Sequence, residues 1–216
     1  MNRPQTHTRR PARKPRSDGE RSRQAILSEA AQLATVEGIA GLSISRLAAA
    51  VGMSKSGLFA HFGSKEELQL ATIETASAIY EEQVIRPAAG APTGIERLRK
   101  LAEGFLVHVE NRVFPGGCFF ASVAAELDTH PGPVRDRALQ LTEEWVRQLE
   151  TAIRDAQAEG AIDPAENPAQ LAFELDGYLL LANAQFVVTQ DSMPIERARR
   201  AVEHRLAAAA PNESSS

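Results

Sequence analysis

Between Val51 and Leu68 the chain reads VGMSKSGLFAHFGSKEEL. Its polar side chains suit non-covalent recognition. Ser54 and Ser56 offer hydroxyls that donate and accept, Lys55 and Lys65 offer cations, and His61 offers a ring nitrogen. Gly57 lets a backbone approach a surface closely. Ser43 and Ser45 add further hydroxyls upstream. Phosphate oxygens and base edges are the partners such groups fit. Bond-making chemistry has a thinner basis. Cys118 with His108 or His130 could pair a nucleophile with a base. No Asp or Asn is evident to orient that base, and the apolar neighbours of Cys118 raise a thiol pKa. The chain has 1 Cys, so it can build neither an intramolecular disulfide nor a cysteine cluster for zinc. A redox-sensing Cys118 would lack an intramolecular resolving thiol. No metal or other cofactor is expected.

The elements that position these residues are helical. Ser17-Asp-Gly-Glu20 fits a capping box, and Ile26, Leu27, Ala30, Leu33 and Ala34 then share one face. Gly38 ends that helix. Ser43 caps a second, short one with Ile44, Leu47, Ala48 and Val51 inward, and Gly52 breaks it. Ser54 caps a third, in which Leu58, Phe59 and Phe62 are the candidate packing residues. Ser64-Lys-Glu-Glu67 opens a longer helix to about Ile85, before a break at Pro87, Gly90 and Pro92. Short helices separated by a Gly turn make a helix-turn-helix, whose second helix lies in the DNA major groove. Free backbone N–H groups at the next helix start, beside His61 and Lys65, also favour a phosphate.

Charge supports a polyanionic partner. Residues 1–65 hold 11 Lys and Arg against 4 Asp and Glu, a net +7; residues 66–216 hold 13 against 24, a net −11. Residues 1–16 read as a disordered basic arm, either solvated or lying on the polyanion. Aromatics are only 5% of the chain, and the abundance of Ala, Leu, Glu, Gln and Arg favours helix. No run of ~18 uncharged apolar residues or secretory leader is evident, which points to a cytoplasmic protein with no membrane partner.

Ile26-Leu27 and Ala30-Ala31, Gly41-Leu-Ser-Ile-Ser-Arg-Leu-Ala48, Val51 to Phe59 and His61-Phe-Gly-Ser-Lys-Glu-Glu-Leu68 together resemble the TetR/AcrR family of bacterial transcriptional regulators. The match covers about residues 20–68. One departure stands out. The family commonly has Tyr where this chain has Phe59, and that Tyr often touches a phosphate. The resemblance implies an all-α protein. Its N-terminal three-helix DNA-binding domain (residues 17–63) contains the helix-turn-helix. A connecting helix and linker follow (64–92), then a C-terminal helical-bundle domain for effector binding and dimerisation (93–206), and a disordered tail (207–216). It further implies a repressor that holds a palindromic operator in double-stranded DNA as a homodimer and responds to a small-molecule effector.

The second half supports part of this. Thr93-Gly-Ile-Glu96 opens a helix with a wide apolar stripe, and Gly177-Tyr-Leu-Leu-Leu-Ala182 is apolar on nearly all sides. Such a helix is buried on more than one face, against its own subunit and a partner, with the helices near 133–160 and 166–190 forming a four-helix bundle. Phe105, His108, Cys118, Phe119, Trp145 and Phe173 are the candidate ligand-contacting residues; each also reads as core. A kink at Gly116-Gly117 can leave a cavity beside them.

Overall fold

The computed structural model describes residues 16–127 and 131–211, with side chains described from residue 19. Most of the basic arm, His130 and the last residues of the tail therefore lie outside the described residues. The described chain is all-helical. Helix α1 spans Arg16–Glu37, so Ser17 lies within it rather than capping it. Helices α2 (Ile44–Ala50) and α3 (Lys55–Phe59) follow. Ser43 and Ser54 cap them, accepting from the N–H groups of Arg46 and Gly57. Gly52 turns the chain between them at φ +67, a left-handed conformation that costs other residues strain.

Helix α4 spans Lys65–Tyr80, capped by Ser64. Pro87 does not break the chain as the sequence suggests. In a regular helix its ring would meet the carbonyl of Gln83. The backbone instead widens into a π-turn over Glu81–Ile85 and continues as α5 (Arg86–Ala89) to Gly90. Helices α6 (Gly94–Glu110), α7 (Phe119–Leu127), α8 (Pro133–Ala158), α9 (Pro168–Thr189) and α10 (Met193–Ala208) complete the chain.

Two apolar cores result. One gathers Ile26, Ala30, Leu47, Leu58, Phe62 and Leu68 from α1 to α4. It also takes in Phe114, Phe119, Val123 and Leu127, so α7 is part of the floor on which the N-terminal helices stand. The other joins Tyr80, Leu101, Phe105, Trp145, Leu149, Leu175 and Leu179. The two segments meet closely at Gly116: a Cβ there would lie 1.9 Å from the carbonyl oxygen of Thr35.

Helix α9 is long and apolar enough to cross a membrane by composition. Its packing tells otherwise. It lies against α6, α8 and α10, and Glu174 at its flank binds Arg205. Leu171, Leu175, Leu179, Ala182 and Phe186 point inward. Phe173, Leu181 and Val188 point outward, 73%, 58% and 82% exposed. Phe173 is therefore on the outer face, and its assignment to a ligand pocket is corrected.

Candidate nucleic-acid interface and cavity

Helix α3 has 5 residues, far too few to be stable alone. Its buried side holds it: Leu58 and Phe62 enter the N-terminal core. Each such side chain contributes roughly 1.5–3 kcal/mol when fully buried. Arg23 of α1 closes the far end, its guanidinium 4.4 Å over the Phe62 ring and hydrogen-bonded to the carbonyl of His61. The outward side is polar. Ser54, Lys55 and Ser56 are exposed, and the Ser54 and Ser56 hydroxyls sit 3.2 Å apart. Gly57 is tucked against this pair, and a Cβ there would lie 3.1 Å from Ser54 Oγ. Ser43 and Ser45 are exposed near the start of α2.

Phe59 is not packing, as the sequence suggested; it is 49% exposed and shares the open side of α3. His61 is half-buried. Lys65 is exposed, and its ammonium donates to the carbonyl of Ala40. Arg23 escaped the sequence reading because its partner is 38 residues away.

Helix α4 carries this head. Over 16 residues it advances about 24 Å. Its C-terminal end, with the π-turn, forms one wall of a cavity of about 490 Å³ between α4, α6, α7, α8 and α9. Tyr80, Phe105, Cys118, Phe120, Trp145 and Asp176 are among its lining residues. Tyr80 meets Phe120 and Trp145 edge-on at 5.9 and 5.6 Å between ring centres. Phe105 stacks on Trp145 at 6.0 Å. Trp145 Nε1 donates to Asp176 at 2.8 Å. Asn183, also on the lining, accepts from the backbone N–H of Cys118.

Three of the six expected ligand residues thus meet: Phe105, Cys118 and Trp145. Phe119 turns the other way, into the N-terminal core. Phe173 faces out of α9. His108 stands behind the wall, against Tyr80 and Phe114. Tyr80, Phe120, Asp176 and Asn183 were not anticipated. Burial pushes the Cys118 thiol up to about 11, which keeps it protonated and a poor nucleophile. Among the described residues no cluster of His, Cys, Asp and Glu could hold a metal ion.

His108 makes a separate, testable contribution. Its Nδ1 lies 3.0 Å from Gln83 Oε1, and its buried Nε2 has no hydrogen-bond partner among the described residues. Burial pulls its pKa down to about 4 from 6.5. Between these values the unfolded chain binds the extra proton, so stability rises with pH across that window. It falls as pH drops from about 6.5 to about 4, by up to ~1.4 kcal/mol per pH unit for this group. Urea midpoints measured against pH should show that slope, and His108→Gln should flatten it. An unchanged slope in the variant would assign it elsewhere.

Comparison with known proteins agrees with this layout. Residues 26–72 match the model of bacterial regulatory proteins of the tetR family. Residues 94–202 match the tetracyclin repressor-like C-terminal domain. The HTH-type transcriptional repressor DhaR of Mycobacterium sp. (strain GP1) is 24% identical over 184 residues, 85% of this chain and 88% of that protein. A TetR transcriptional regulator from Chloroflexus aurantiacus J-10-fl superposes with a TM-score of 0.80 at 27% identity, over 88% of this chain and 95% of that one. AibR, solved with isovaleryl coenzyme A and operator DNA, superposes with a TM-score of 0.67 at 26% identity, over 83% and 94%. With both halves matched in order, the chain belongs to the TetR family of bacterial transcriptional regulators, which bind DNA and are not enzymes.

Proposed function

We propose that this regulator is a repressor that holds a palindromic operator as a homodimer and releases it when a small molecule enters the cavity. The observation that carries this is α4. One helix bears the reading head at its start and places Ser77 and Tyr80 in the cavity wall at its end. Two reading heads must match successive major grooves, about 34–36 Å apart. A ligand that tilts α4 spoils that spacing, provided it binds the released state more tightly. Linkage then requires operator DNA to weaken ligand binding by the same factor. AibR, captured with isovaleryl coenzyme A and operator DNA, is a precedent within the same fold for these two classes of partner.

In this reading Ser54, Lys55, Ser56 and Phe59 face base edges and nearby backbone, while Ser43, Ser45, His61 and Lys65 take phosphates. Phe59 brings its ring but no hydroxyl, which leaves phosphate anchoring to the serines, His61 and Lys65. Selection from a random duplex pool should yield a palindromic site. Against that site and scrambled DNA, Lys55→Ala should change sequence preference. His61→Ala and Lys65→Ala should weaken binding to both duplexes, and Lys65→Ala should lower the salt slope by about one unit. Equal effects of all three on both duplexes would reject this division of labour.

A further inference from the structure

The cavity wall has a charge character of its own. Among the described residues three carboxylates line it, those of Glu81, Glu144 and Asp176, and no Lys, Arg or His does. Their surroundings differ. Glu144 has Arg137 at 3.9 Å, a guanidinium already held by Glu74. Asp176 has only the neutral Trp145 indole as a described hydrogen-bond partner. Burial raises the Asp176 carboxyl above its ordinary range, the response of a carboxylate stripped of water without a cation beside it. Around these groups stand the faces and edges of Tyr80, Phe105, Phe120 and Trp145. Aromatic faces attract cations, and more strongly where water is excluded.

We propose that the cavity selects aromatic or lipophilic cations and disfavours anions. Resting on the reading that the effector sits in this cavity, the proposal adds the effector's charge. A cation of modest size lies among the four rings and pairs with Asp176, with Glu81 adding attraction at longer range. An anion, a coenzyme A thioester included, meets carboxylates and finds no positive side chain among the described residues of the wall. Hydroxyl and amide groups from Ser77, Ser122, Thr142, Gln148 and Asn183 are available for orientation without changing the sign of the field.

The chain's 1 Trp is Trp145, so its fluorescence reports from the cavity itself and needs no DNA. Tetraphenylphosphonium and tetraphenylborate are probes of nearly one shape and opposite charge. Titrated into the full chain, tetraphenylphosphonium should quench Trp145 at least tenfold more tightly than tetraphenylborate. Asp176→Asn keeps an oxygen to accept from the indole and removes the charge. It should weaken the phosphonium about tenfold and leave the borate unweakened. Glu81→Gln, at an exposed position, should act in the same direction by a smaller factor and guards against a folding defect in the first variant. Equal or tighter borate binding, or indifference of both variants, overturns the charge assignment while keeping the cavity as a ligand site. Silence of Trp145 towards both ions overturns the cavity as a site for such ligands, and the proposal with it.

Discussion

Phe173→Glu combined with Leu181→Glu should convert the proposed homodimer into a folded monomer that holds its operator far more weakly. Phe173, Leu181 and Val188 form an exposed apolar line along the outer side of α9. A lone subunit rarely leaves such a face to water. A second copy of the chain covers it in the proposed dimer, with α8 and α9 of each subunit forming the joint. In that dimer the two introduced carboxylates of each subunit would be pressed against those of its partner. Sedimentation equilibrium should then give the single-chain mass of 23.4 kDa instead of twice that value. Circular dichroism should stay helical, because neither side chain enters the core of its own subunit. Operator affinity should fall roughly 10²–10⁴-fold, the usual gain from tethering two weak sites. Leu179→Glu is the wrong test, since Leu179 is fully buried within the subunit and its replacement would unfold the chain. A double variant that remains dimeric and binds operator normally would place the dimer joint elsewhere.

The reading head was legible in the sequence because its signals are local. Ser54 caps, Gly52 turns and Leu58 and Phe62 anchor, all within a dozen residues. The helical fold was legible from the same capping and periodic signals. The cavity was only half legible. Phe105, Cys118 and Trp145 were found by bulk or chemistry, but bulk does not reveal direction. Phe119 and Phe120 are neighbours on a helix, so one enters the N-terminal core while the other faces the cavity. On α9, where apolar side chains lie on both the inner and the outer face, composition could not separate inward Leu179 from outward Phe173 and Leu181. The π-turn was hidden as well. Pro87 signals trouble for a regular helix, but only the packing of Val84 and Ala88 into the core shows that the chain widens instead of stopping. Interactions between distant segments left no trace at all.

The most consequential of these distant interactions is the grip of Glu126 on the Gly38–Ala40 turn, and removing it should loosen the reading head. The turn joins α1 to α2. From one side the Glu126 carboxylate, on α7, accepts the N–H groups of Ile39 at 2.6 Å and Ala40 at 2.8 Å. From the other side, Gln69 and Lys65 of α4 donate to the carbonyls of Ile39 and Ala40. The turn is therefore held between α7 and α4, the two helices that also share the cavity wall. Phe120, Ala121 and Ala124 of α7 face the cavity, while Phe119, Val123 and Leu127 sit in the N-terminal core. Glu126 gives a displacement of α7 a direct polar route to the turn, beside the apolar contacts of Phe119, Val123 and Leu127. A hydrogen bond to a charged group contributes about 1.5–3 kcal/mol, and the Ile39 bond is partly shielded from water. In Glu126→Ala the amide of Ile39 should exchange with deuterium at least tenfold faster, while amides in the middle of α1 keep their protection. Operator affinity should fall by about tenfold, because the turn keeps its ties to α4 but loses the one that fixes it to α7. Glu126→Gln retains an accepting oxygen but loses the charge, and should lie between the variant and the parent in both measurements. Unchanged exchange at Ile39 together with unchanged operator binding would show that α4 alone positions the head.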